Sequence, residues 1–424
     1  MIDAIGSICR PVAPTAPPAR TLASPAQPTP STRSTLAPTS PSARGDRDRL
    51  RLRSTRTPSR SCNWRGSRVG VRYIGSKARV AEQIVELAGT ASTAGRFVDA
   101  FSGSGAVAGA AAKRGWAVSV NDSLPSAVAM SVSNVVRKDN VPFERLGGYN
   151  RAIQALNEQR EAPGFIYREY SPASLEHGVV ERRYFTQTNA GRLDSMRSLI
   201  ATWVASGSLS WLEEQLLLSD LLQSANSVAN ISGTYGSFLK FWSPSALKPV
   251  LVTARSLQTG FADVTATTKD VFDLVSNSTD TVYLDPPYTK RQYSAYYHIL
   301  ETLHAGDAPE VGGVTGLRPW QDKASIFCYK QKALSALTQL ISGLNARQIL
   351  LSYSDEGHVP RSQLVEALGM IGKVRVHEIE SIGRYRPNAR ASAAGKLVQE
   401  FVIEIEPTRE RASINAQLPM MVTN

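Results

Sequence analysis

Asp285-Pro286-Pro287-Tyr288 is a tetrad that can hold an exocyclic amine while a methyl group is delivered to it. The Asp285 carboxylate and the Pro286 carbonyl can both accept hydrogen bonds from one –NH2 group. Tyr288 offers a flat face on which a base can stack. The two prolines fix φ at consecutive positions and bring no N–H of their own. A plain proline turn, with the Asp as turn former, is the competing reading. The stretch from Phe97 to Gly105 carries a second candidate group, namely Asp99, Phe101, Gly103 and Gly105. Its glycines let a backbone turn tightly and approach a ligand closely. Asp122 lies 17 residues after Gly105, about where an acid meets ribose hydroxyls in nucleotide-binding βαβ units. This pattern also leaves open a dinucleotide-binding dehydrogenase, or a turn with no ligand. The third glycine position of that fingerprint is Ala108, with Gly109 after it. Tyr73 and Lys77 form a third group in Arg72-Tyr73-Ile74-Gly75-Ser76-Lys77. Lys77 stands at the first turn of an amphipathic helix expected over residues 79–88, where the dipole does not favour a cation. It fits an anionic ligand group such as the carboxylate of an amino-acid-like ligand, or is simply solvated.

The elements that must position these groups follow from hydrophobic pattern. Residues 281–284 and 97–101 are short apolar runs that read as buried strands. An alanine-rich helix is expected over 106–114 and a strand over 116–120, ending in Asn121-Asp122. Strands at 349–353 and 397–405 complete the pattern. Each chemical group therefore sits where a strand ends. In open α/β sheets the crevice at the carboxyl ends of the strands is where ligands bind.

In this order, Tyr-Ile-Gly-Ser-Lys, Phe-x-Gly-x-Gly, a long insert and Asp-Pro-Pro-Tyr resemble the Dam-type (α-group) N6-adenine DNA methyltransferases. Residues 291–303, 233–240 and 351–357 are similar to the FokI-type modification methylases of restriction systems. The resemblance spans roughly residues 71–406. It implies an α/β fold, a Rossmann-like S-adenosylmethionine-dependent methyltransferase sheet with an inserted, mainly helical target-recognition domain. It also implies a closing reversed hairpin from a strand near 374–379. S-adenosyl-L-methionine would be the cofactor, with Tyr73 and Lys77 at its methionine end, Asp99, Phe101, Gly103 and Gly105 beneath it, and Asp122 on its ribose. Asp270 matches, more loosely, a position near its adenine. Asp285, Pro286, Pro287 and Tyr288 would grip the target adenine. Double-stranded DNA is the implied partner, with a cognate restriction endonuclease encoded nearby and monomeric action in the cytoplasm, the protein being bacterial or phage-encoded and acting on the nucleoid.

Physics supplies the expected mechanism. Hydrogen bonds from adenine N6 to Asp285 and Pro286 would free its lone pair and aim it at the activated methyl, mostly a positioning effect. The same carboxylate stabilises positive charge growing on N6. A base inside a duplex cannot reach such a crevice, so the adenine must be flipped out. An RNA base methyltransferase and a catalytically silent DNA-binding relative are the alternatives.

Composition bounds the rest. The 424 residues are 42% hydrophobic, enough for a catalytic domain and one more. No apolar run reaches the ~18 residues of a membrane span. Cys9, Cys62 and Cys328 are scattered and the five histidines lack metal spacing, which argues against a disulfide framework or a zinc site. His298 and Glu301, one helical turn apart, read as a surface pair. The net charge is +12, but residues 1–68 hold 12 Arg, no Lys and 3 Asp, or +9, leaving +3 for the remainder. Basicity is therefore poor evidence that the folded part binds nucleic acid. Residues 1–68 are rich in Pro, Ser and Arg and read as a disordered tail, with the working protein expected to begin near Val69 or Val71. Residues 69–138 and 263–410 are expected to form the catalytic domain, 139–262 the insert and 411–424 a flexible end. The insert exceeds the ~2–6 residues of an ordinary βα connection. Helices are expected in it at 195–205 and 211–223, with Leu212, Leu216, Leu217, Leu218 and Leu221 as core. Arg168, Arg182, Arg183, Asn189, Arg192, Asn226, Thr234, Tyr235, Lys240 and Lys248 are its candidate DNA contacts. Tyr293, Tyr296 and Tyr297 fit either a base pocket or ordinary helix core.

Overall fold

Three short runs with every residue buried set the centre of the fold: β1 (Phe97–Asp99), β4 (Thr281–Leu284) and β5 (Gln348–Ser354). Strands apolar on both faces belong in a parallel sheet covered on both sides. The computed structural model describes residues 75–91, 94–379 and 399–408 and bears this out. Tyr73 and the segments 1–68 and 411–424 lie outside the described residues. Among the described residues there is one seven-stranded sheet, completed by β2 (Val118–Asn121), β3 (Val264–Thr267), β6 (Gly372–Ile379) and β7 (Glu400–Pro407), in the order β3-β2-β1-β4-β5-β7-β6. Strands β1 to β5 pair in parallel. Strand β7 runs antiparallel between β5 and β6, which is the closing hairpin expected from the resemblance.

Side-chain alternation builds a layer on each face. Phe97, Tyr283 and Leu350 point to one side, where they join a cluster from α1 (Ala81–Leu87), α2 (Ala106–Lys113) and α3 (Pro125–Val135). Val98, Val282, Leu284, Ile349 and Leu351 point to the other. There they meet Leu337 and Leu340 of α10 (Lys330–Gly343) and Leu364 and Leu368 of α11 (Arg361–Gly369).

The long segment between α3 and β3 folds around α4 (Tyr149–Asn157), α5 (Phe165–Tyr170), α6 (Gln187–Ala205) and α7 (Trp211–Val228). Both expected helices are present and longer than the pattern implied. The Thr186 hydroxyl caps α6 by accepting from Asn189 N, and Ser210 with Glu213 forms a capping box on α7. Leu216, Leu217, Leu218 and Leu221 are buried in the cluster that holds α3, and Leu212 packs against it half-buried. Polar groups tie the same seam. Asp220 of α7 pairs with Arg255 at 2.7 Å and Ser219 meets Ser133 of α3 at 2.8 Å. The insert thus shares its core with one face of the sheet.

After β4 come α8 (Tyr293–Tyr296) and α9 (His298–Ala305). The surface pair expected at His298 and Glu301 is inside instead: both are buried. His298 Nε2 lies 3.1 Å from the Tyr235 carbonyl, and Glu301 accepts from Ser126 N at 3.0 Å. Helix α9 is covered by the insert on one side and α3 on the other, so its polar residues face protein.

Candidate active site

The strand order reverses between β1 and β4: β2 and β3 lie to one side of β1, β5 to the other side of β4. At such a switch point the two loops leaving the sheet diverge and open a crevice. Asp99 ends β1 and Asp285 directly follows β4, so the two candidate groups face each other across it. The cleft opens to solvent. Lys77, Asp99, Phe101, Gly103, Asp122, Asp285, Pro286, Pro287 and Tyr288 all line it. Residues as far apart as 77 and 288 are thus brought into one space.

Asp99 is 1% exposed. Its Oδ2 accepts from Ala108 N at 3.1 Å, while Oδ1 has no partner among the described residues. Burial, then the nearby Asp285 charge, pushes its carboxyl up to about 8. Asp122 is fixed by its own loop: Oδ2 accepts from Gly103 N at 2.9 Å and Oδ1 from Leu124 N at 3.0 Å. Burial raises it to about 6 against those two bonds. Gly103 turns at φ +48°, which brings its N–H round to Asp122.

Gly105 does something other than admit a ligand. It caps α2 at φ +73°, and a Cβ there would stand 2.4 Å from Ser131 Cα. Its smallness lets α2 cross α3, and it is not part of the cleft wall. Asp270 also stands off the wall. It is exposed and caps a short turn, accepting from Phe272 N at 3.0 Å. Phe272 in turn stacks on Phe327 at 5.9 Å, and Phe327 meets Phe101 edge-on at 5.6 Å.

Lys77 has an anion waiting within the chain. Its Nζ is 3.1 Å from Asp285 Oδ1, 4.0 Å from Glu400 Oε2 and 5.5 Å from the Tyr288 ring centre. Burial alone would lower the ammonium, but the charges of Asp285, Tyr288 and Glu400 win and keep it protonated well beyond the ordinary lysine range. Burial raises the Asp285 carboxyl, and Lys77 pulls it back. Where the sequence reading placed a ligand carboxylate, the anion nearest Lys77 among the described residues is Asp285 of the tetrad.

Sequence reasoning missed a second wall. Gln292 and Ser325 exchange hydrogen bonds of 3.1 and 2.8 Å, which straps residues 320–328 to the chain just after the tetrad. This brings Lys323 and Ser325 into the cleft, with Lys323 Nζ 3.5 Å from Glu301. Asn121 was also missed. It bonds Ala100 O, Lys269 O, Lys269 N and Thr267 Oγ1, tying the ends of β1, β2 and β3 together. The three tyrosines divide: Tyr293 lines the cleft, Tyr297 is core and Tyr296 packs half-buried on it.

Several candidate DNA contacts are spent inside. Asn189 bonds Lys248 O and Val250 N, Arg192 bonds Val250 O and Asn157 O, and Arg182 bonds Glu169. Tyr235 and Asn226 are buried, and Arg183 bonds Lys240 O. Arg168, Lys240 and Lys248 are exposed.

A parallel sheet closed by an antiparallel hairpin, with a cleft at its switch point and an Asp-Pro-Pro-Tyr turn on the rim, defines the α/β methyltransferase class. Comparison with known proteins narrows this. A family model described as D12 class N6 adenine-specific DNA methyltransferase matches residues 73–366, and the chain belongs to that family. Type II methyltransferase M.FokI of Planomicrobium okeanokoites is 32% identical over 347 residues, 79% of this chain and 52% of that protein. Modification methylase LlaI of Lactococcus lactis subsp. lactis is 31% identical over 80% of this chain and 56% of its own length. The chain thus spans about half the length of these two relatives. Type II methyltransferase M.CviAII of Paramecium bursaria Chlorella virus 1 is matched nearly end to end, at 31% identity over 79% of this chain and 98% of that protein.

Proposed function

We propose that this protein transfers a methyl group from S-adenosyl-L-methionine to N6 of a flipped-out adenine at a specific site in double-stranded DNA, as the modification enzyme of a restriction–modification system. The observation that carries this reading is the facing of Asp285 and Asp99 across the β1/β4 crevice, in a chain of the D12 family. The residues present fit the donor. Asp99 Oδ1 is a buried acceptor with no partner, suited to an ammonium group. Asp122 presents a carboxylate for ribose hydroxyls, and Phe101 lines the wall between them. Gly103 leaves room beneath. The donor supplies an activated methyl on a sulfonium. This chain does the rest: Asp285 and the Pro286 carbonyl accept the two N6–H bonds, which localises the lone pair, and Tyr288 supports the ring. The tetrad cannot reach a stacked base, so the target must leave the helix.

Segment 139–262 is proposed to bind the DNA, with exposed Arg168, Lys240 and Lys248 on phosphates. A cognate restriction endonuclease is the proposed partner in the cell. The test is to express the full chain in a host lacking adenine methylation and sequence the genome for N6-methyladenine. One short motif should be modified throughout, and Asp285→Ala should abolish the modification while S-adenosylhomocysteine still binds. An unmethylated genome alongside soluble, donor-binding protein would overturn the reading in favour of an RNA substrate or a silent DNA binder.

A further inference from the structure

Resting on that reading, we propose that Lys77 is a positioning residue for methyl transfer: its ammonium holds one oxygen of Asp285 and leaves the other for the target amine. Lys77 is nearly buried, its side chain 6% exposed, and its Nζ is shared between Asp285 Oδ1 at 3.1 Å and Gly75 O at 3.5 Å. The Glu400 carboxylate, 4.0 Å away, supplies further negative charge. The ammonium is thus already surrounded by acceptors of the chain itself, and a ligand carboxylate would have to displace one of them. Asp285 differs. Its side chain is 17% exposed toward the cleft, and its second oxygen accepts no bond from the described residues. One oxygen is anchored and the other is presented.

The charge matters as much as the geometry. Asp285 is faced by Lys77 before α1, Asp99 on β1, Tyr283 on β4, Tyr288 in the tetrad, Tyr293 on α8 and Glu400 on β7. Of these, Lys77 alone is cationic. The Glu400 charge works against a second ionised carboxylate in a buried site. Asp285 must be ionised to accept from N6, because a protonated carboxyl offers a donor in the wrong place. Lys77 makes that ionised form tenable and fixes its orientation, so its loss should slow the chemical step rather than loosen the donor. The turn that carries it is built for close approach: Gly75 has φ +75°, and a Cβ there would stand 3.0 Å from the Tyr293 hydroxyl.

The experiment compares the full chain with Lys77→Met and Lys77→Arg. Affinity for S-adenosylhomocysteine is measured by calorimetry. Single-turnover methyl transfer is measured at saturating donor, between pH 6 and 9, on DNA carrying the motif mapped in the cell. Lys77→Met should bind the product within about 3-fold of the parent, yet transfer about 100-fold more slowly at pH 7. Its rate should recover as pH rises, with the acid limb of the profile moved upward. Lys77→Arg should restore most of the rate. A variant that loses the product but transfers at the parental rate once donor saturates would make Lys77 a donor ligand and sink the proposal. An unmoved pH profile would sink it too. A second readout needs no activity: thermal unfolding of Lys77→Met, Asp285→Asn and the double variant. The double variant should be more stable than Lys77→Met alone, because it removes the stranded carboxylate; purely additive losses would overturn the coupling. If the parent itself transfers nothing, the functional reading fails, and this cycle still decides whether Lys77 holds Asp285.

Discussion

Asp99→Asn should make the free protein more stable while damaging its grip on the donor. Asp99 is 1% exposed, and its carboxyl is raised from 3.8 to about 8 by burial and by Asp285. A raised carboxylate keeps its proton longer in the folded chain than in the unfolded one. Stability therefore falls as pH climbs from about 4 through about 8, and the loss is complete above that window. At pH 7 the unfolded residue has lost its proton, 3.2 pH units above its ordinary value of 3.8, and the cost is about 4 kcal/mol. The same reckoning gives about 2 kcal/mol at pH 5 and nearly 6 kcal/mol at pH 9. Asparagine has the shape of the protonated acid, carries no such cost, and can still accept from Ala108 N with its amide oxygen. Guanidinium unfolding of parent and variant at pH 5, 7 and 9 should show a stability gap that widens with pH. Calorimetry should show S-adenosylhomocysteine bound about 10- to 100-fold more weakly, the loss of one charge-assisted hydrogen bond. A gap that stays constant with pH would refute the claim that Asp99 is an ionisable group held against its preference. A site residue that costs stability is what a functional role predicts.

Gly105→Ala should cost about 2–4 kcal/mol in chemical unfolding, from left-handed strain plus a forced shift of the Ser131 backbone; a change under 1 kcal/mol would show that α2 and α3 can part freely. His298 is held neutral by burial with its pKa lowered to about 4, so protonation of the unfolded chain below 6.5 drains stability as pH falls. His298→Asn should therefore lose about 1 kcal/mol less per pH unit than the parent between pH 6 and 5, read from denaturant midpoints; identical slopes would mean the imidazole titrates normally. Tyr288→Ala should slow single-turnover methylation about 10- to 100-fold, and Tyr288→Phe about 3-fold or less, if the ring serves by stacking. Equal losses in the two variants would assign the work to the hydroxyl.

Strands β1, β4 and β5 were legible because they are buried on both faces, whereas β3, half-exposed throughout, gave no such run. Runs such as residues 281–284 and 349–353 have no polar alternation to confuse with a helix, and each ends in a turn signal. The closing hairpin was reached only by resemblance, since β6 alternates weakly and lies at an edge. Buried polar residues were read least well. His298, Glu301, Asn189 and Arg192 look like surface from composition, yet each satisfies backbone groups in the insert or α3. Pattern gives the period of a helix but not whether its polar face meets water or another layer.

The site shows the same division. Single residues could be named because each stands at a strand end with a distinctive neighbour: glycines after Asp99, prolines after Asp285. What no pattern could give was which charges meet. Glu400 lies more than 300 residues from Lys77 in sequence, and only the insertion of β7 beside β5 brings its carboxylate to 4.0 Å. The strap at 320–328 depends likewise on one glutamine finding one serine. A lone lysine before a helix reads as a ligand for something outside the protein. In the folded chain it meets Asp285 just after β4 and Glu400 on β7, and the tetrad end of the cleft becomes a balance of its ammonium against these carboxylates. That balance makes the ionisation of Asp285 depend on Lys77, and it ties the tetrad to the amino-terminal turn that the sequence shows only as a separate motif.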